Sequence, residues 1–313
     1  MAKVFIDGAA GTTGLEIRER LSGRRDLTVV QLGDADRKDA KARARALNDA
    51  DLVVLCLPDD AAREAVSLIE NPAVRVVDAS TAHRTAAGWT YGFPELEPGQ
   101  REKIATSKRV SNPGCWATAF VSLVRPLVRA GVLPVDFPVS ANGVSGYSGG
   151  GRKMVEEFEK KDQPGYTETV VRNYALTLMH KHLPEMMAHT GLAHTPVFAP
   201  FVGRFYRGML VEVPLALWAL PGVPSSADLH RVLADAYAGE ALVEVASADT
   251  KAANLDAEAL KGTNKLKLFV FGNDASGQAR LVALLDNLGK GAGGAAVQNL
   301  NIMLGLPETT GLL

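Results

Sequence analysis

Through the first third of the chain, short β-branched runs alternate with longer segments whose apolar residues recur every three or four positions. "KVFID" (3–7), "LTVVQL" (27–32), "DLVVLCL" (51–57) and "VRVVDAS" (74–80) have the near-continuous apolar character of parallel strands buried on both faces. The stretches between them, "TGLEIRERLSG", "DRKDAKARARALNDA" and "DDAAREAVSLIENP", have helical spacing and composition. Such repetition predicts an α/β fold with a doubly wound parallel sheet. Right-handed crossovers then align the C-terminal ends of the strands along one ligand-binding edge. A further short strand, "KRVSN" (108–112), leads through Pro113-Gly114 into "CWATAFVSLVRPLVRA", an apolar helix beginning near Cys115. Residues 200–285 are strand-rich, with runs such as "GMLVEVPLALWAL" and "LKLFVFG", but carry no second glycine fingerprint.

Candidate chemistry gathers at the predicted edge. After the first strand, Gly8, Gly11 and Gly14 are spaced G-x-x-G-x-x-G in "DGAAGTTGLEI", with Thr12 and Thr13 opening the next helix. Glycines there permit a tight turn and close approach of a pyrophosphate to a helix N-terminus. The spacing departs from G-x-G-x-x-G, and a plain glycine-rich turn is the competing reading. After the second strand, Asp34 would suit a ribose 2′-hydroxyl and hence NAD, whereas Arg37 and Lys38 would suit the 2′-phosphate of NADP. The paired basic residues tip the expectation to NADP(H); a solvated helix start is the bland alternative. Arg84, in "STAHR" after the fourth strand, has the bidentate fork that grips phosphate, or is an ordinary surface arginine.

Cys115 follows a turn-making Asn-Pro-Gly at a helix start, where unpaired N–H groups and partial positive charge stabilise a thiolate. Cys56, inside an apolar run, is expected to be a strand residue kept for packing. "NGVSGYSGGGRK" (142–153) is too glycine-rich for the interior of a strand or helix. It is expected to be a loop whose amides, with Ser145, Gly146, Ser148, Arg152 or Lys153, contact an anionic ligand. In "LMHKHLPEMMAHTG" (178–191), His180 and His182 would share one face of an extended segment, with Glu185 nearby. One imidazole suits a general acid/base beside the thiol. The alternative is a zinc shell of both histidines, a carboxylate and Cys115, but no second cysteine or acidic cluster accompanies it, so no metal is expected.

Composition narrows the class. The chain has 313 residues, material for two domains, and a formal net charge of −1 with Lys and Arg dispersed, so no nucleic-acid footprint is present. No apolar run approaches the roughly 20 residues of a membrane span, and no signal-peptide pattern opens the sequence. Two cysteines in contrasting contexts make no disulfide framework. A soluble, cytoplasmic enzyme acting on a small molecule is expected.

Taken together, "GAAGTTG", "STAHR", "YGFPEL", "SNPGCWAT", "GVSGYSGGGRK", "HKHLPE" and "DNLGKGAGGAAVQNLNIMLGL" resemble the N-acetyl-γ-glutamyl-phosphate reductases of the shorter form. That family is grouped with aspartate-semialdehyde dehydrogenase, and the similarity runs almost end to end. The resemblance implies Cys115 as nucleophile, His182 as acid/base and Glu185 in support. It also implies an NADP-binding Rossmann domain (1–114 with 286–313, including Asn287) and a mixed-sheet catalytic and subunit-contact domain (115–285). A homodimer or homotetramer is implied, with an acyl phosphate as substrate. Trp116 stands where many relatives have Tyr. An aspartyl- or aminoadipyl-phosphate reductase of the same build, or a non-catalytic nucleotide-binding regulator, is the competing function.

Overall fold

The computed structural model describes residues 1–33, 36 and 39–313, so Asp34, Arg37 and Lys38 lie outside the described residues. The chain divides into two compact units, one of residues 1–94, 98–114 and 292–313, the other of 95–97 and 115–291. Residues 286–291, including Asn287, thus fall in the second unit, before the chain re-enters the first at Ala292.

The first unit is built on six parallel strands: β1 (Ala2–Asp7), β2 (Leu27–Val30), β3 (Leu52–Leu55), β4 (Arg75–Asp78), β5 (Thr90–Tyr91) and β6 (Arg109–Ser111). Their order is β2-β1-β3-β4-β6-β5, the wound topology expected from the strand–helix alternation. The central β3 is buried along its whole length because helices cover both faces of a parallel sheet. Of the crossover helices α1 (Thr12–Leu21), α2 (Ala40–Asn48), α3 (Asp59–Ser67) and α4 (Gln100–Thr106), α2 and α3 bury Leu47, Ala62 and Ala65 against Phe5, Val53 and Leu55. The strand expected over 51–57 stops at Leu55, so Cys56 lies just past its ligand-side end rather than inside it. There its amide donates to the Asp7 carbonyl (2.8 Å), continuing the sheet by one bond.

The second unit opens with α5 (Cys115–Arg129) and carries β7 (Ser140–Gly146), α6 (Gly151–Glu159), β8 (Val171–Asn173), α7 (Leu183–Thr190), β9 (Val197–Gly203) and β10 (Met209–Ala216). It continues through α8 (Ser226–Ala236), β11 (Val243–Val245), β12 (Leu266–Asn273) and β13 (Gln278–Leu285). The strands form one mixed sheet in the order β11-β12-β13-β10-β7-β9-β8. Helices α5 and α8 pack on this sheet, and α7 packs on α5. The chain then passes through a wide π-type turn, Gly289–Gly293, into α9 (Gly294–Met303), which packs on α1, α4 and β4 of the first unit.

One expectation fails here. Residues 142–146 of the glycine-rich stretch belong to an interior strand, β7, paired on both sides, and only Tyr147–Gly150 forms a tight turn. Close approach explains the glycine: a β-carbon on Gly143 would stand 2.2 Å from the Leu210 carbonyl oxygen of β10.

Candidate active site

In the first unit, the β1–α1 turn separates steric glycines from a glycine left open. Gly8 has φ +90°, and a β-carbon on Gly14 would meet the Gly8 carbonyl oxygen at 2.5 Å. Gly11 caps α1 with extended backbone and no side-chain cap, and the nearest atom to a β-carbon there would be 3.7 Å away. Nothing within the unit therefore demands glycine at position 11. Its small size leaves room for a group to approach the amides of the first turn of α1, where a helix start favours an anion. Thr12 and Thr13 follow, both half-buried in the first turn of α1. A cavity of about 330 Å³ opens beside this turn, lined by Asp7, Gly8, Ala9 and Ala10 with Gln31, Leu32 and Leu57. This open cradle at the strand ends fits the diphosphate and adenosine portion of a dinucleotide.

Arg84 is buried rather than a surface arginine. Its Nε donates to the Asn112 carbonyl (3.1 Å) and one Nη to the Ala79 carbonyl (3.3 Å), tying together the chain beyond β4 and β6. Asp78 steadies the same loop. Its carboxylate accepts from the Ser80 amide (2.9 Å) and hydroxyl (2.7 Å) and meets His83 Nδ1 at 2.6 Å. Asn112 is fixed by its Nδ2 donating to the Ala292 carbonyl (2.9 Å) and its Oδ1 accepting from Asn299 (3.1 Å). The turn leading into Cys115 is therefore held rigidly at the residue carrying Arg84's acceptor.

In the second unit, Cys115 is the first residue of a fifteen-residue helix and is half-buried, not sealed in the core. An aromatic cluster surrounds the start of that helix. Trp116 meets Phe198 edge to face (centroids 5.1 Å apart), Phe198 meets His180 (5.1 Å), and His180 meets both Tyr174 (5.8 Å) and His182 (4.9 Å). The histidines do not lie on an extended strand. His182 has helical backbone and precedes α7, whose start is set by Pro184 and by Glu185 in the first turn. The His182 amide donates to His180 Nδ1 (3.1 Å), so His180 supports the turn while His182, 6% exposed, points inward with the fully buried Glu185.

Tyr174 stands beside Cys115, and the sequence alone does not single it out. Its hydroxyl pKa is raised, by burial first and by electrostatic interaction with the neighbouring Cys115 second, while a hydrogen bond from Trp116 opposes the shift. That coupling puts a phenol beside the cysteine. No motif announces it, since "VVRNYALT" has neither a turn signal nor a charge pattern.

The remaining expected ligand contacts are placed unevenly. Ser145 and Gly146 are buried at the end of β7, whereas Arg152 and Lys153 are exposed on α6, with Arg152 paired to Glu156 (3.1 Å). Asn287, expected at the cofactor, bridges two parts of the second unit. Its Oδ1 accepts from the Gly208 amide (2.8 Å) and its Nδ2 donates to Ser148 (2.9 Å), clasping two loops of the second unit. Among the described residues, no three His, Cys, Asp or Glu side chains are grouped as metal ligands would be, and no helix is long and apolar enough to cross a membrane.

Two family models cover most of the chain. Residues 3–106 match the model described as semialdehyde dehydrogenase, NAD binding domain, and residues 115–287 match semialdehyde dehydrogenase, dimerisation domain. The N-acetyl-γ-glutamyl-phosphate reductase 2 of Nostoc sp. is 54% identical over 99% of both chains. The N-acetyl-γ-glutamyl-phosphate reductase of Brucella anthropi is 54% identical over 97% of this chain and 98% of its own. The chain belongs to the N-acetyl-γ-glutamyl-phosphate reductase family. Its fold is that of solved semialdehyde dehydrogenases. A probable aspartate-semialdehyde dehydrogenase from Pseudomonas aeruginosa superposes with TM-score 0.73 at 16% identity, over 97% of this chain and 98% of its own. Aspartate semialdehyde dehydrogenase II from Vibrio cholerae superposes with TM-score 0.72 at 13% identity, with the same coverage. At such identities the likeness speaks for the fold alone, and the N-acetyl-γ-glutamyl-phosphate reductase assignment rests on the close relatives.

Proposed function

We propose that this protein reduces N-acetyl-γ-glutamyl phosphate with NADPH, giving N-acetylglutamate 5-semialdehyde and phosphate through a thioester on Cys115, a step of arginine biosynthesis. The observation that carries this reading is a half-buried cysteine at the first residue of α5 with Tyr174 beside it, whose ring meets His180, which in turn meets His182, in a chain 54% identical to reductases of that name. The dimerisation-domain match supports a homo-oligomer, with dimer or tetramer as the expected forms.

Cys115 attacks the acyl-phosphate carbonyl through Sγ, the C–O bond to phosphate breaks, and a thioester and inorganic phosphate result. His182 takes the thiol proton, with Glu185 orienting or polarising its ring. Backbone N–H groups at residues 115 and 116, at the positive end of α5, are the donors assigned to the developing oxyanion. Gly8, Gly11, Thr12, Thr13 and Gly14 hold the diphosphate, and Arg37 and Lys38 hold the 2′-phosphate. Bound NADPH supplies the hydride that reduces the thioester carbonyl. Cys115 then departs as a thiolate when the hemithioacetal collapses to the aldehyde, and His182 handles the accompanying proton. Arg84, Ser145, Gly146 and Lys153 bind the substrate's anionic groups.

A magnitude shows what the site must supply. Lowering a thiol pKa from about 8.5 to about 6 raises its thiolate fraction at pH 7 roughly 30-fold. A Brønsted slope of about 0.4–0.5, taken from disulfide exchange, removes roughly tenfold of that in nucleophilicity. Only a few-fold gain is left, so placement of Sγ and oxyanion stabilisation carry most of the acceleration.

The assay is reduction of NADP by N-acetylglutamate semialdehyde, run with and without phosphate, beside the aspartate and aminoadipate semialdehydes. Phosphate-dependent turnover with the N-acetylglutamate compound alone is the expected result. Preference for another semialdehyde would reassign the substrate, and turnover with none would remove the enzyme reading.

A further inference from the structure

Lys290 and Glu95 form a salt bridge almost wholly out of water. The ammonium lies 2.8 Å from each carboxylate oxygen, and the side chains are 1% and 0% exposed. Burial of this kind is a poor route to stability, because desolvating both charges offsets most of their attraction and apolar replacements of similar size often do as well. The location suggests another use. Lys290 sits in the π-type turn Gly289–Gly293, a wide helical turn of a sort found often at functional sites. The next residue, Gly291, is pressed onto the nucleophile: a β-carbon there would stand 2.8 Å from the Cys115 β-carbon and 3.3 Å from its α-carbon.

The turn is fastened on both sides of Lys290. Asp286 accepts from the amides of Leu288 (2.8 Å) and Gly289 (3.1 Å) and pairs with Arg207 (2.6 Å). The Gly291 amide donates to the Asp286 carbonyl (3.0 Å). Glu95 belongs to a three-residue strap, 95–97, that clusters with the second unit. The other end of that strap, Glu97, pairs with Arg125 (2.8 Å) on α5, the helix that begins with Cys115. One short segment thus makes an ion pair to the helix bearing the thiol and another to the turn that backs it.

We propose that Lys290 and Glu95 are positioning residues: their buried pair clamps the Gly289–Gly291 backbone against Cys115 and so fixes where Sγ stands for attack. This rests on the reading of Cys115 as nucleophile. The pair touches no reacting atom and acts through Gly291. Since placement carries most of the rate advantage, loosening the clamp should cost turnover more than binding.

The test is Lys290→Met beside Lys290→Arg. Met matches the lysine stem in bulk and abolishes the pair; Arg keeps the charge. The expected signature for Lys290→Met is kcat lowered at least tenfold, with KM for the acyl phosphate within about twofold, since a 1 Å misplacement is worth on the order of 10²-fold. NADPH binding should be retained and iodoacetamide alkylation of Cys115 slowed, and Lys290→Arg should recover most of both rates. Wild-type kcat and alkylation rate in Lys290→Met would overturn the proposal. So would losses of kcat and KM in step with a lowered melting temperature and no rescue by Arg. Should Lys290→Met fail to fold, Gly291→Ala decides. Its added methyl is aimed at Cys115, so unchanged kcat and alkylation there would also overturn the proposal, and the kcat-only loss would uphold it. Cys115→Ser is run in parallel. If it remains active, the nucleophile reading fails, whereas the alkylation rates in the Lys290 variants still report on the clamp.

Discussion

Gly8 and Cys56 are packed so closely that a β-carbon on Gly8 would stand 2.3 Å from the Cys56 carbonyl oxygen. The β1–α1 turn thus rests directly on the end of β3, and at Gly8 the need for glycine is internal to the fold. Gly8→Ala should therefore act on stability, costing about 1–3 kcal/mol for the positive φ alone and more for the clash. A β-carbon on Gly11 would meet nothing closer than 3.7 Å, so Gly11→Ala should melt near the wild-type temperature but bind NADPH more weakly. Thermal denaturation and NADPH titration of the two variants check this. An unstable Gly11→Ala with intact affinity would mean that the open side of the turn is not where the cofactor sits.

The two cysteines should behave oppositely. The Cys56 thiol is pushed up to about 12 from 9.0, by burial first and by the charges of Asp78 and Asp7 second. Near neutral pH it stays protonated, so iodoacetamide should mark Cys115, and acyl phosphate should protect it. Cys115→Ser should fold and bind NADPH yet lose turnover, while Cys56→Ala keeps its activity with at most a small loss from the void. The pH dependence has a definite sign. Between pH 9.0 and about 12, the folded chain keeps a proton on Cys56 that the unfolded chain has released. The stabilising contribution of this group is therefore complete below pH 9.0 and is lost as pH rises through about 12. Cys56→Ala should flatten that part of the alkaline decline in chemical denaturation.

Arg37→Ala with Lys38→Ala should weaken NADPH binding far more than NADH binding, because only a 2′-phosphate uses their charge. Equal losses for both cofactors would leave no reason to place that phosphate there.

The parts of the molecule legible in the sequence are those where one local rule dominates. β1, β3 and β4 are apolar on both faces and bounded by turn residues, and Cys115 stands at a helix start marked by Pro113-Gly114. β5 has two residues, too few to carry a period. β7 was hidden because its glycines, read as loop-formers, answer to a neighbouring backbone that only the folded sheet brings near Gly143. The same limit explains Asn287 and Tyr174. An asparagine in a glycine-rich run and a tyrosine in a featureless one make their contacts with Gly208, Ser148 and Cys115, none of them adjacent in sequence.

His182 rather than His180 is the expected acid/base. His180 Nδ1 accepts the His182 amide and its ring contacts Tyr174 and Phe198, which suits support of the turn. His182→Asn should lower kcat by about 10²–10⁴-fold and flatten one limb of the pH profile. His180→Asn should cost less and keep both limbs. The reverse pattern would exchange the roles.

Tyr174 supplies the last prediction, and it concerns a hydroxyl rather than a charge. Burial and the neighbouring Cys115 both raise its pKa. The phenol therefore keeps its proton throughout the range in which a thiolate forms beside it, and a protonated hydroxyl there can donate to negative charge on sulfur or on the acyl oxygen. Trp116 donates to the same oxygen, which polarises the O–H further. Tyr174→Phe removes the donor while leaving the ring that packs near His180. If the hydroxyl serves the developing oxyanion, kcat should fall by on the order of 10²-fold, with NADPH binding and KM little changed. If it serves only to hold Trp116, the loss should appear instead as about 1–3 kcal/mol of stability from the stranded indole N–H. Single-turnover kinetics and denaturant titration of Tyr174→Phe separate the two. Unaltered turnover with lowered stability would confine Tyr174 to packing around the helix start.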